Sequence, residues 1–175
     1  HFPDASYFAN NEAALARSAI GLDNDLTNPL HLALIASAIA NDGTMYAPRL
    51  VTEVRDATNG QTIKTFGPDD YSHPLTADSA RQLRQMMVNV VNSGTGYAAQ
   101  IDGTVVAGKT GTATNGEGTP PNAWFTSFAP AGQGQTARIA VAVIVLDGGD
   151  MGNEATGGRI AAPIAKQVME AYLGR

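Results

Sequence analysis

"GTVVAGKT", Gly103 to Thr110, satisfies the phosphate-loop pattern G-x-x-x-x-G-K-[ST] at every fixed position. Downstream, "IAVAVIVLD" (Ile139–Asp147) has the form of an apolar strand ending in a magnesium-holding aspartate. A phosphate loop must follow a strand and open a helix, because helix-terminal N–H groups hold the phosphates. Here "GTATNGEGTPP" follows Lys109-Thr110, with two prolines, three glycines and no apolar period. A helix is not expected there. The variable positions Thr104-Val105-Val106-Ala107 suit an extended chain, not a loop wrapped around phosphate. The nucleotide-hydrolase alternative on Gly103–Thr110 therefore ranks last, and Asp147 reads as a turn residue at a strand end.

Working outward, the sequence turns β from Gly103. "TVVAGKTGTA", "AWFTSFAP" and "ARIAVAVIVLDG" read as three strands, joined by connections too short for crossover helices. Strands joined in this way pair antiparallel. "TNGEGTPPN" (Thr114–Asn122) is a breaker-rich loop, expected to be mobile at the mouth of a cleft. The terminal segment "GGRIAAPIAKQVMEAYLGR" reads as a helix whose Ile160, Ile164, Val168 and Tyr172 stripe packs on the sheet.

Toward the N-terminus, Asn11–Arg17 can form a short helix. "LTNPLHLALIASAIANDG" reads as a helix capped by Asn28, with Pro29 at its first position and Asn41-Asp42-Gly43 ending it. Its nearly continuous apolar run predicts burial nearly all round. His31, on this helix, reads as a surface histidine or one satisfied by a neighbour. "RLVTEVRDATNGQTIKTF" alternates on both sides of Asn59-Gly60, the signature of a hairpin with a tight turn. "LTADSARQLRQMMVNVVNSG" reads as a helix capped by Thr76, with Leu83, Met86, Met87, Val90 and Val91 forming its core face.

The chain has 175 residues, 43% hydrophobic and 15% charged, enough to bury a core as one domain. Its net charge of −5, with three lysines and eight arginines scattered, argues against nucleic acid as a partner. With no cysteine, disulfides and thiolate chemistry are excluded. The first residue is His, so the chain is expected to be a piece of something longer, with any anchor upstream.

On an extended "AGKTGTA", Lys109 and Gly111 share one face and Thr110 and Thr112 the other. A cation, two hydroxyls and strand N–H groups at a cleft suit a carboxylate and a developing oxyanion. The plain alternative is an ordinary strand with a solvated lysine. "GKTGTA" resembles the third motif of the penicillin-recognising serine acyltransferases, whose set is S-x-x-K, S-D-N and K-T-G. The resemblance extends in order from about Ala19. "TNPLHLALIASAIANDGTMYAPRLV", "SGTGYAAQIDGTVVAGKTGTA", "AWFTSFAP", "IAVAVIVLD" and "GGRIAAPIAKQVMEAYL" are similar to successive parts of penicillin-binding protein transpeptidase domains, of the class B, actinobacterial penicillin-binding protein A type. No serine has a lysine three residues on, and neither Ser-x-Asn nor Tyr-x-Asn occurs. Residues 1–175 are thus expected to form the C-terminal portion of one transpeptidase domain, with the nucleophile-bearing half upstream or on another chain.

The resemblance implies an α+β fold, an antiparallel sheet flanked by helices. It implies a D,D-transpeptidase that cross-links peptidoglycan stem peptides through a serine acyl-enzyme and is a target of β-lactams. Lys109 would act catalytically, supplying charge at the substrate carboxylate. Thr110, Gly111 and Thr112 would bind substrate, and the Thr112 N–H would also serve as an oxyanion donor. No metal or organic cofactor is implied. The expected partners are stem peptides, β-lactams, the upstream half of the domain, and cell-division or elongation proteins. The expected location is the extracytoplasmic face of the plasma membrane. A β-lactam sensor or β-lactamase on the same fold is the alternative. Of Trp124 and Phe125, at least one is expected in the core, with the other available as a substrate platform. Thr95 and Gly96 are expected to shape the connection into the strand.

Overall fold

A computed structural model describes residues 3–114, 116 and 118–175. Two short helices, α1 (Ala5–Phe8) and α2 (Glu12–Ser18), lead into α3 (Pro29–Ala40). A region of short strands follows: β1 (Met45–Tyr46), β2 (Glu53–Arg55), β3 (Thr62–Thr65) and β4 (Asp70–Ser72). Next come α4 (Ala77–Ser93), a short turn of helix, and the strands β5 (Ala107–Ala113), β6 (Asn122–Ala129) and β7 (Ile139–Val145). A turn-rich stretch, Leu146–Glu154, and a π-helical turn, Gly157–Ala161, precede α5 (Ala162–Leu173). The main sheet runs β5-β6-β7, antiparallel throughout, with β5 at one edge. This is the expected α+β arrangement.

The helix caps form where the sequence placed them. Asn28 accepts from the His31 N–H at 2.9 Å, and Thr76 from the Ser79 N–H at 3.1 Å. Asn11 caps α2 by accepting from Ala14. Ahead of α3, Asp23 receives the Tyr7 hydroxyl and the Arg17 guanidinium. The Tyr7 hydrogen bond is the main reason its carboxyl is held below the usual range.

Two hydrophobic clusters cover the two faces of the sheet. On one, Phe125, Val141, Ala161, Ala162, Ala165 and Met169 pack together with Val91. On the other, Ala36 and Ile39 of α3 and Met87 and Val88 of α4 surround Phe128 and Ala107. Phe125 and Phe128 are fully buried, each stabilising the fold by roughly 1.5–3 kcal/mol. Gly108 is glycine because the Phe125 ring occupies its side-chain space. A Cβ there would stand 2.4 Å from Cζ.

Several expectations are corrected. The buried face of α5 is Ala162, Ala165 and Met169, whereas Ile164, Val168 and Tyr172 are 40–58% exposed. Small residues let the helix axis approach the sheet, so the contact face follows alanine and not the bulky stripe. α3 buries only Ala36, Ala38 and Ile39, and Leu30 is 59% exposed. Within this chain, the helix packs on the sheet along one side alone. Met86 is exposed, and α4 packs through Ala80, Met87, Val88 and Val91. The hairpin of β2 and β3 closes through a longer loop than a two-residue turn. The Asp56 N–H bonds to the Gln61 carbonyl, and the Asp56 carboxylate accepts from Thr58. The first strand of the sheet begins at Ala107, not Thr104. The Thr114–Asn122 loop ends one residue early, since buried Asn122 starts β6. Asn115 and Glu117, within that loop, lie outside the described residues.

Candidate active site

β5 turns the short sequence Lys-Thr-Gly-Thr into two chemically different faces. Its register with β6 sets Lys109 opposite Thr126, Thr110 opposite Phe125, Gly111 opposite Trp124 and Thr112 opposite Ala123. Side chains alternate along a strand. Lys109 and Gly111 therefore share a face with Trp124 and Thr126. Thr110 and Thr112 share the other with Phe125.

The Lys109 face borders a groove of about 540 Å³. β5 forms one wall. α3 and the segment between α2 and α3 form the other, with Ile20, Leu26 and Ile35 among its apolar residues. Trp124 lies half-buried beside Gly111 and lines the groove, whereas Phe125 is fully in the core. Phe125 is thus the core member of the pair, and Trp124 is the one left accessible. The Thr126 hydroxyl donates to the Leu32 carbonyl and ties β6 to α3. Lys109 is exposed, and its ammonium folds onto the Thr110 carbonyl at 2.6 Å. His31 also lines the groove, exposed, with its Nδ1 3.5 Å from the Thr27 hydroxyl. Ser18, the serine among the lining residues, bonds the Asp25 carboxylate at 2.8 Å.

The threonine face is backed by other elements. The Thr110 and Thr95 hydroxyls lie 2.7 Å apart. The Thr112 hydroxyl accepts from the Gly157 N–H at 3.4 Å. That N–H belongs to the π-helical turn, a conformation often found at functional sites. The turn rests directly on β5, since a Cβ at Gly157 would stand 2.7 Å from the Gly111 carbonyl oxygen. The sequence does not point to the Thr95 or Gly157 contacts. The paired glycines after Thr156, which caps the turn through the Arg159 N–H, were the available signal.

Lys109, Thr110, Gly111 and Thr112 thus stand on one edge strand, with Lys109 and Thr112 exposed and Thr110 and Gly111 half-buried. Their side chains leave the strand on alternating faces, and all four residues line the groove at its edge. Lys109 and Thr110 lie mid-strand, and among the described residues the next element is the strand β6 and not a helix, so the setting of a phosphate loop is missing. Asp147 takes a left-handed turn conformation (φ 50°), and its N–H is held by the Asn122 side chain.

The family profile described as "Penicillin binding protein transpeptidase domain" matches residues 3–170. The chain belongs to that family. Among curated relatives, it is 40% identical over 164 residues to the peptidoglycan D,D-transpeptidase PbpA of Mycolicibacterium smegmatis, covering 92% of this chain and 32% of the relative. To the protein of that name from Mycobacterium tuberculosis it is 37% identical over 166 residues, covering 93% and 33%. The chain therefore spans about a third of the length of these transpeptidase-domain relatives. The solved structure of penicillin-binding protein A from M. tuberculosis as a ceftriaxone acyl-enzyme complex superposes with a TM-score of 0.83. That match has 36% identity and covers 94% of this chain and 36% of the other.

Proposed function

We propose that this chain is the C-terminal part of the catalytic domain of a serine-type D,D-transpeptidase that cross-links peptidoglycan stem peptides and is acylated by β-lactams. The observation that carries the proposal is the Lys109-Thr110-Gly111-Thr112 edge strand lining a groove, within a chain of this family. Relatives named as peptidoglycan D,D-transpeptidases and a relative solved as a β-lactam acyl-enzyme support the reading. They favour it over a β-lactam sensor or β-lactamase.

In this mechanism, a serine in the upstream half of the domain attacks the penultimate D-Ala carbonyl. The C–N bond to the terminal D-Ala breaks, and an amine from a neighbouring stem then displaces the serine. Lys109 supplies the positive charge that attracts the substrate carboxylate. Thr110 and Thr112 donate hydrogen bonds to it, and the Thr112 N–H is one donor to the oxyanion. The apolar groove receives the upstream half and brings its serine to β5. Peptidoglycan substrate places the reaction on the outer face of the plasma membrane. Among the described residues, no helix is long and apolar enough to cross a membrane. Division or elongation proteins are the expected partners of the whole enzyme.

The test is acylation by a fluorescent penicillin of the polypeptide that joins this chain to its upstream half, with the 175-residue chain alone as control. The joined protein should be labelled on a serine outside residues 1–175, and the control should not. Thr110→Val should slow labelling by about ten- to a hundredfold, the equivalent of roughly 1.5–3 kcal/mol for a hydrogen bond to a charged group. Lys109→Ala should cost at least as much. Wild-type rates in both variants would sink the site assignment.

A further inference from the structure

The part of the groove wall between α2 and α3 has no regular structure. Residues 19–22 and 25–27 line the groove there, yet Ile20 and Leu26 are 74% and 69% exposed. Burial within this chain therefore does not hold the wall in place. Its backbone enters the left-handed region twice, at Gly21 (φ 79°) and at Asp23 (φ 72°). An aspartate in that region is uncommon, and such a conformation persists where its neighbours fix it.

The Asp23 side chain supplies the fixing, and it is only 6% exposed. One carboxylate oxygen accepts from the Tyr7 hydroxyl of α1 at 2.5 Å and from the Asn24 N–H at 3.0 Å. The other accepts from the Arg17 guanidinium of α2, at 2.7 Å from Nε and 2.6 Å from Nη2. The Asn24 side-chain amide closes the set by donating to the Tyr7 oxygen at 2.9 Å. Asp23 and Asn24 are themselves not part of the groove lining. They grip α1 and α2 behind it, while the residues on either side of them face the groove.

We infer that Asp23 is a positioning residue, whose carboxylate ties the groove wall to α1 and α2 and so sets the distance between that wall and Lys109 on β5. Asp23 touches neither substrate nor β-lactam and acts through the wall. This role rests on the reading that the groove seats the upstream half and its serine. A wall displaced by about 1 Å would carry the serine out of line with β5, and misplacement on that scale costs up to about a hundredfold in rate.

The experiment follows the reaction of the joined protein with penicillin G over a range of concentrations. This separates the binding constant, the acylation rate constant and the fraction of protein labelled. The proteins are wild type, Asp23→Asn, Tyr7→Phe, the Tyr7→Phe/Asp23→Asn double variant and Asp56→Asn. Asparagine keeps the shape of aspartate and tolerates the left-handed region, so Asp23→Asn removes the charge without adding backbone strain. Asp23→Asn should lower the acylation rate constant by about tenfold and leave the binding constant unchanged. Tyr7→Phe should lower it by less. The double variant should be no slower than Asp23→Asn, because both changes act through one carboxylate. Asp56, whose carboxylate accepts from Thr58 in the β2–β3 loop, is the control, and Asp56→Asn should match wild type. A smaller labelled fraction with an unchanged rate constant would make Asp23 merely structural and overturn the inference. So would an equal loss in Asp56→Asn, or a fully additive double variant. Should Asp23→Asn not fold, Tyr7→Phe decides alone, and a wild-type rate constant there would overturn the inference with the seating reading left standing. No labelling of the wild-type joined protein would instead remove that reading and this inference with it.

Discussion

Gly157 has no room for a side chain. A Cβ there would stand 2.0 Å from the Trp124 carbonyl oxygen and under 3 Å from the Gly111 backbone, and none of these atoms can move without shifting the sheet. The residue also donates to Thr112. Gly157→Ala should therefore act twice, on stability and on the site. Overpacking of this kind costs about 1–3 kcal/mol. Thermal denaturation should show that loss, and penicillin acylation should slow beyond the fraction unfolded. An unchanged melting temperature would mean that the π-helical turn is not seated on β5 as described. Thr110 makes the contrasting case. Its replacement by Val keeps a β-branched shape suited to a strand and removes only a hydroxyl, so the fold should be nearly unaffected.

At the scale of elements, α5 separates what periodicity can and cannot say. The sequence marks the helix, but its bulky residues four apart suggest the wrong buried face. Met169 is fully buried with its sulfur 3.6 Å from the Ser127 hydroxyl, while Val168 beside it is 44% exposed. Met169→Ala should cost about 2–5 kcal/mol. Val168→Ala should stay within about 0.5 kcal/mol of wild type. Chemical denaturation of the pair measures the difference, and the reverse order would restore the stripe as the packing face. The strands and the caps at Asn28 and Thr76 were legible because they depend on local chemistry. The side on which a helix packs depends on how closely its axis can approach, which small residues decide and hydrophobicity alone does not reveal. The site divides in the same way. Lys109, Thr110 and Thr112 could be found from a strand pattern and a resemblance. Thr95 and Gly157 reach them from other elements, through contacts that no spacing encodes.

For the whole molecule, the two hydrophobic clusters lie on opposite faces of one three-stranded sheet, and α4 contributes to both. Met87 and Val88 enter one cluster, and Val91, one turn later, enters the other. α3 serves only the first of these and α5 only the second. A protein with two cores could open in two independent steps, each exposing its own set of amides. A helix rooted in both removes that freedom, because neither cluster can come apart without loosening the residues that seal the other. Hydrogen exchange under native conditions should find the middle of α4, the central strand β6 and the buried face of α5 exchanging with one common free energy. A markedly lower value for α3 and the Phe128 side would show two separable units. If the common value holds, a lesion on the far side of the sheet will be felt at the α4 terminus that carries Thr95. If the proposed acylation by β-lactams holds, inheritable changes that tune it could then arise a full sheet's thickness away from the inhibitor itself.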